Sequence, residues 1–153
     1  MEKTKIIQLI TAALAALFCY AALSKLLHYQ QSEHEMLNQV FPKDWAVVFV
    51  WLVPGIELTV VLLLIAKATQ KVGLWAAAIL LLTFSIYIAV VMTGVFGRIP
   101  CSCGGILKNM GYGTHLIFNL CFMIAACYGL VLVKGWKINR WFHFKGRRHS
   151  KIE

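Results

Sequence analysis

The sequence predicts an all-α integral membrane protein: a four-transmembrane-helix antiparallel bundle with both termini on the cytoplasmic side (N-in/C-in). Three observations predict it. The composition is 60% hydrophobic and 14% charged, whereas roughly a quarter of the residues of a soluble domain are charged. The apolar residues fall in four long runs instead of alternating. The positive charges gather at alternate ends of those runs. A length of 153 residues suits one domain.

The runs cover residues 6–28, 45–66, 72–96 and 114–133. Each approaches the ~20 residues that carry a helix across a ~30 Å hydrocarbon core. The first follows Lys3 and Lys5, as a signal peptide would. However, its apolar run exceeds the 7–15 residues of a secretory h-region, and no small-residue cleavage site follows Ser24, Lys25 and His28. It reads as an uncleaved first helix. Residues 1–133 therefore form the membrane domain, and 134–153 form a basic cytoplasmic tail.

Orientation follows from charge. Lys3 and Lys5, Lys67 and Lys71, and the seven basic residues from Lys134 to Lys151 share one side of a four-span chain. By the positive-inside rule that side is cytoplasmic. The loop 29–44 and the segment around residue 101 then face outward together, at the periplasm or cell exterior of an inner (plasma) membrane. The net charge of +9 does not call for a nucleic-acid partner. The basic tail directly follows an apolar run, where it meets anionic headgroups of the bilayer.

Short connections favour sequential antiparallel neighbours. Small residues mark the expected seams: Ala12, Ala15, Cys19 and Ala22 in the first helix, and Cys121, Ala125 and Gly129 in the fourth. Cys19, Cys121 and Cys127 read as packing residues within apolar helices. Cys19 and Cys121 lie at similar depth and would meet if the first and fourth helices touch there.

Cys101 and Cys103 differ from these three. They stand one residue apart in "RIPCSCGGILKNMGYG", between Pro100 and Gly104-Gly105. Proline stiffens the approach, and the glycines permit a tight turn. A disulfide across one intervening residue is strained and exchanges readily, and a short loop stabilises little. Arg98, Lys108 and the N-terminus of the fourth helix favour a thiolate. Redox work, a structural disulfide and free thiols all remain open. So does a soft-metal site, with Cys101, Cys103, Met110 and His115 as copper(I) ligands. His28, His34 and Met36 of the other outer loop are available to complete it.

Glu57, in "WLVPGIELTV", lies about twelve residues beyond Trp45, roughly 18 Å deep. An acid at that depth is costly unless paired or neutral, and is a functional candidate by default. Pro54 and Gly55 loosen the helix just before it. It would serve as a proton carrier, as a polar wall of a small-molecule pocket, or as a neutral hydrogen-bonding residue. Asn119, Ser85 and Tyr87 are the expected partners. Lys25, counted to the outer interface, is not.

The stretches "YAALSKLL", "PGIELTVVLLL" and "GLWAAAILLLTFSIYIAVV", followed by "PCSCGG", resemble the MauE (methylamine utilisation protein) family of DoxX-like membrane proteins. The resemblance covers about residues 6–133. It implies a four-helix bundle with a redox-associated role: thiol-disulfide exchange at Cys101 and Cys103 with an extracytoplasmic thioredoxin-like partner. It also implies support for the maturation of exported proteins, with a quinone as the further electron carrier. The pair here is C-x-C and no second outer cysteine pair is present, which points to a thiol-bearing partner. A non-catalytic structural subunit of a membrane complex is the remaining alternative.

Overall fold

A computed structural model describes residues 2–38, 42–94 and 111–146. The chain order is α1 (Glu2–Leu27), α2 (Tyr29–Leu37), α3 (Lys43–Ile65), α4 (Gln70–Met92) and α5 (Tyr112–Gly146). No strand occurs among the described residues. Four segments are long and apolar enough to cross a membrane: α1, α3, α4 and Gly113–Val133 of α5. Each begins a few residues before its apolar run, because polar residues such as Glu2 and Gln70 continue a helix without cost at its ends. α5 continues past Val133, so the basic stretch beyond it starts as helix.

The spans form an antiparallel ring in chain order: α1 packs on α3, α3 on α4, α4 on α5, and α5 back on α1. The apolar core runs between them through Leu14, Phe18, Val60, Leu64, Leu81 and Ala126. Large apolar side chains also cover the outside, among them Leu9, Leu62, Ile65, Ile79, Ile124 and Val131. An apolar exterior on four helices long enough to span fits a lipid surrounding.

The buried stripe of α1 is Ile7, Thr11, Leu14, Phe18, Ala22 and Lys25, at helical spacings of three and four. The expected small-residue seam is thus rotated by about one position. Ala22 belongs to it, Ala15 and Cys19 lie at its border, and Ala12 is exposed. In α5 the buried positions are Asn119, Ala126 and Gly129, while Cys121 faces outward. In α1 the large Leu14 and Phe18 take the inner face, whereas in α5 the small Ala126 and the expected Gly129 do. Cys19, Cys121 and Cys127 are free thiols.

Gly129 lies opposite Leu74 of α4 and Ile10 of α1. A Cβ there would come within 3.2 Å of Leu74 Cδ2. That atom ends a flexible side chain and can give way by a few tenths of an ångström. Gly129→Ala is expected to change stability by less than about 1 kcal/mol, read by unfolding in mild detergent.

The turn after α3 is tied inward. Thr69 donates its hydroxyl to Leu63 O at 3.1 Å, and Gln70 Nε2 donates to Thr11 Oγ1 at 3.2 Å. These contacts place the start of α4 beside the first third of α1. At the other end, α4 closes on Thr93 and Gly94. Gly94 takes φ +72°, the one positive φ among the described residues, and ends the helix as a left-handed glycine does.

α2 is a helix within the segment 29–44, where the sequence predicts an outer loop. Its nine residues, YQQSEHEML, carry no apolar run. Only tertiary contact identifies it: Met36 joins Ala46 and Val50 of α3 in a small core bordered by Tyr29 and Leu37. The Tyr29 ring lies 5.2 Å from that of Trp51. Ser32 Oγ donates to Lys25 O at 3.1 Å, across the break at His28. A polar helix does not lie in hydrocarbon, so the first turns of α3 that it covers stand at the interface.

Candidate functional site

Glu57 is buried, with 1% of its surface exposed. Its partner is Lys25. The ammonium donates to Glu57 Oε1 at 2.7 Å and Oε2 at 2.9 Å, and makes a longer contact of 3.4 Å with Ala21 O. All three ammonium protons thereby have acceptors, and both carboxylate oxygens are used. Lys25 is itself 8% exposed. The expectation that Lys25 stays at the interface, leaving Glu57 to Ser85, Tyr87 or Asn119, is corrected.

The correction follows from side-chain direction. In a helix each Cα–Cβ bond tilts toward the N-terminus. α1 and α3 run antiparallel, so Lys25 leans inward along α1 while Glu57 leans outward along α3. The four-carbon stem of lysine spans the rest through apolar surroundings. Depth counted at Cα positions misses this reach. The interface also lies further along α3 than Trp45 suggests, because α2 covers the first turns.

Local sequence prepares the site. Pro54 has no amide proton, so the Val50 carbonyl, about two turns before Glu57, loses its helical donor. Thr59 donates its hydroxyl to Gly55 O at 2.8 Å, which occupies a carbonyl beside that weak point. α4 contributes buried Ser85, whose hydroxyl donates to Leu81 O at 2.8 Å. α5 contributes Asn119, 5% exposed. Asn119 Nδ2 is the one buried side-chain nitrogen or oxygen without a hydrogen-bond partner among the described residues. His115, one turn earlier on the same face of α5, is within electrostatic reach of Lys25.

These groups form a layer. Leu74, Ile10 and Gly129 mark one level across α4, α1 and α5. Counted from it at 1.5 Å per residue, Ala21 and Ser85 rise ~17 Å and Asn119 ~15 Å. The ammonium touching Ala21 O therefore sits level with Ser85 and Asn119. Each of the four spans supplies one buried polar residue to this level: Lys25, Glu57, Ser85 and Asn119. While the pair is closed its charges cancel.

Cys101, Cys103 and Met110 lie outside the described residues, in the chain between α4 and α5. Of the other residues expected near an outer metal, Met36 is buried against α3. His34 is exposed, with Nδ1 3.0 Å from Asn38 Nδ2. Among the described residues no cluster of three or more His, Cys, Asp or Glu could hold a metal ion.

Four apolar spans in a sequential ring, lipid-facing on the outside and joined inside by a closed ion pair, define a multi-pass membrane protein. Within that class, the family model for methylamine utilisation protein MauE matches residues 3–132. The chain belongs to the MauE family. Neither a curated protein nor a solved structure matches it.

Proposed function

We propose that the chain is a membrane thiol-disulfide redox protein that serves the maturation of exported proteins. Its termini are cytoplasmic and its C-x-C turn faces the periplasm or cell exterior of the inner membrane. A thiolate of a thioredoxin-like partner attacks one sulfur of a Cys101–Cys103 disulfide. That S–S bond breaks, the second cysteine leaves as thiolate, and a mixed disulfide forms. The partner's second thiolate then resolves it. The partner is oxidised, and Cys101 and Cys103 are reduced by two electrons and two protons. A quinone held between the helices takes up both and becomes quinol, which restores the disulfide.

The observation that carries this reading is the sequence Cys101-Ser102-Cys103 in a chain of the MauE family. Thiol trapping in intact cells tests it. A membrane-impermeant maleimide is expected to label both cysteines only after mild reduction, and Cys101→Ser with Cys103→Ser is expected to abolish the labelling. Met110→Leu and His115→Ala are expected to leave it unchanged. Labelling without reduction under every growth condition would instead favour a soft-metal site. A structural subunit would keep full function in the double serine variant.

A further inference from the structure

We infer that Asn119 is the ligand-contacting residue of a site for a lipid-soluble carbonyl compound, a quinone by class, in the polar layer of the bundle. This deepens the proposed function and rests on its quinone step. Asn119 is buried on the inner stripe of α5, and its Nδ2 has no acceptor among the described residues. An amide donor left unpaired in such surroundings is costly. The neighbouring groups do not relieve it. Neither the Glu57 oxygens, which accept from Lys25, nor the Ser85 oxygen, whose proton goes to Leu81 O, accepts from Asn119 Nδ2.

The chemistry of the ligand follows. The layer offers a donor, so the ligand must bring an acceptor oxygen. The Lys25 and Glu57 charges cancel, so an anionic ligand would add an uncompensated charge and a neutral one fits. The surrounding exterior is apolar, so the ligand arrives from lipid. One turn from Asn119, Phe122 packs on the core, its ring centroid 4.8 Å from that of Phe118. These rings suit a flat partner. A neutral, flat, lipid-soluble molecule with carbonyl oxygens is a quinone. Glu57 and Lys25 then act as positioning residues that hold α1 and α3 around it.

The test uses the full chain in lipid nanodiscs with decylubiquinone, corrected for partition into empty discs. Saturable binding is expected. Asn119→Leu should weaken it roughly tenfold or more, the worth of one hydrogen bond in a dry site. Its unfolding midpoint should hold or rise, because the unpaired donor is gone. Asn119→Ala provides the same comparison should the leucine variant not fold. Decylbenzene, which has no carbonyl oxygen, should not compete. No saturable binding by the wild type, equal binding by the asparagine variants, or competition by decylbenzene overturns the proposal. The Cys101→Ser, Cys103→Ser chain should bind the quinone normally. Quinone binding without a labile disulfide would therefore sink the redox reading alone, and a labile disulfide without quinone binding would sink this site alone.

Discussion

Glu57→Gln is expected to destabilise the bundle by about 3–5 kcal/mol, the cost of leaving one partner of a buried ion pair alone. The Lys25 ammonium would then keep only neutral acceptors, the amide oxygen at position 57 and Ala21 O at 3.4 Å, and would have no counter-charge. Lys25→Met should cost a similar amount by stranding the carboxylate, which is 1% exposed. The double variant Lys25→Met with Glu57→Leu should recover most of the loss, because well-packed apolar residues replace a buried pair with little penalty. Denaturant unfolding of the four chains in mild detergent reads all these values. Single variants as stable as the wild type would refute the closed pair. A stable double variant that no longer supports redox function would show that the pair serves more than packing.

Gly73→Ala is expected to be the most damaging substitution of a small residue, by about 1–3 kcal/mol or more. The added Cβ would lie 2.7 Å from the Leu63 carbonyl carbon, 2.8 Å from Leu64 N and 2.9 Å from Leu63 O. All three are backbone atoms, so no rotamer change relieves the contact. α4 would have to move away from α3, yet the short turn through Thr69 and the Gln70–Thr11 hydrogen bond hold its start in place. Gly129→Ala, which meets only a leucine methyl first, is the matched control. Equal unfolding midpoints for the two variants would contradict the close approach of α3 and α4.

Much of the architecture was legible because lipid acts uniformly along a helix. Any stretch of some twenty apolar residues must cross or be buried, so α1, α3, α4 and the first part of α5 could be read from composition. Glu57 was legible for the converse reason: an acid among leucines and valines needs a partner. That partner was not legible. Lys25 looked interfacial when its depth was counted along the backbone, and only the antiparallel placement of α1 and α3 turns both side chains toward each other. Asn119 could be named as polar and deep, but its lack of a hydrogen-bond partner depends on what three other helices place around it. The seams were misread by one position for a related reason. Ala12 and Cys121 are small, but the faces that pack are set by the fit of Leu14, Phe18 and Ala126 to their neighbours.

The sequence by itself determined that this chain lives in a bilayer, how many times it can cross, and which acid cannot remain alone there. Those properties depend on transfer from water to hydrocarbon, which each segment undergoes on its own. The tertiary structure decided that Lys25 closes on Glu57, that α2 packs along α3, that Gly73 admits a backbone, and that Asn119 keeps a donor unpaired. Those depend on distances between residues far apart in the chain, and only the packed helices fix such distances.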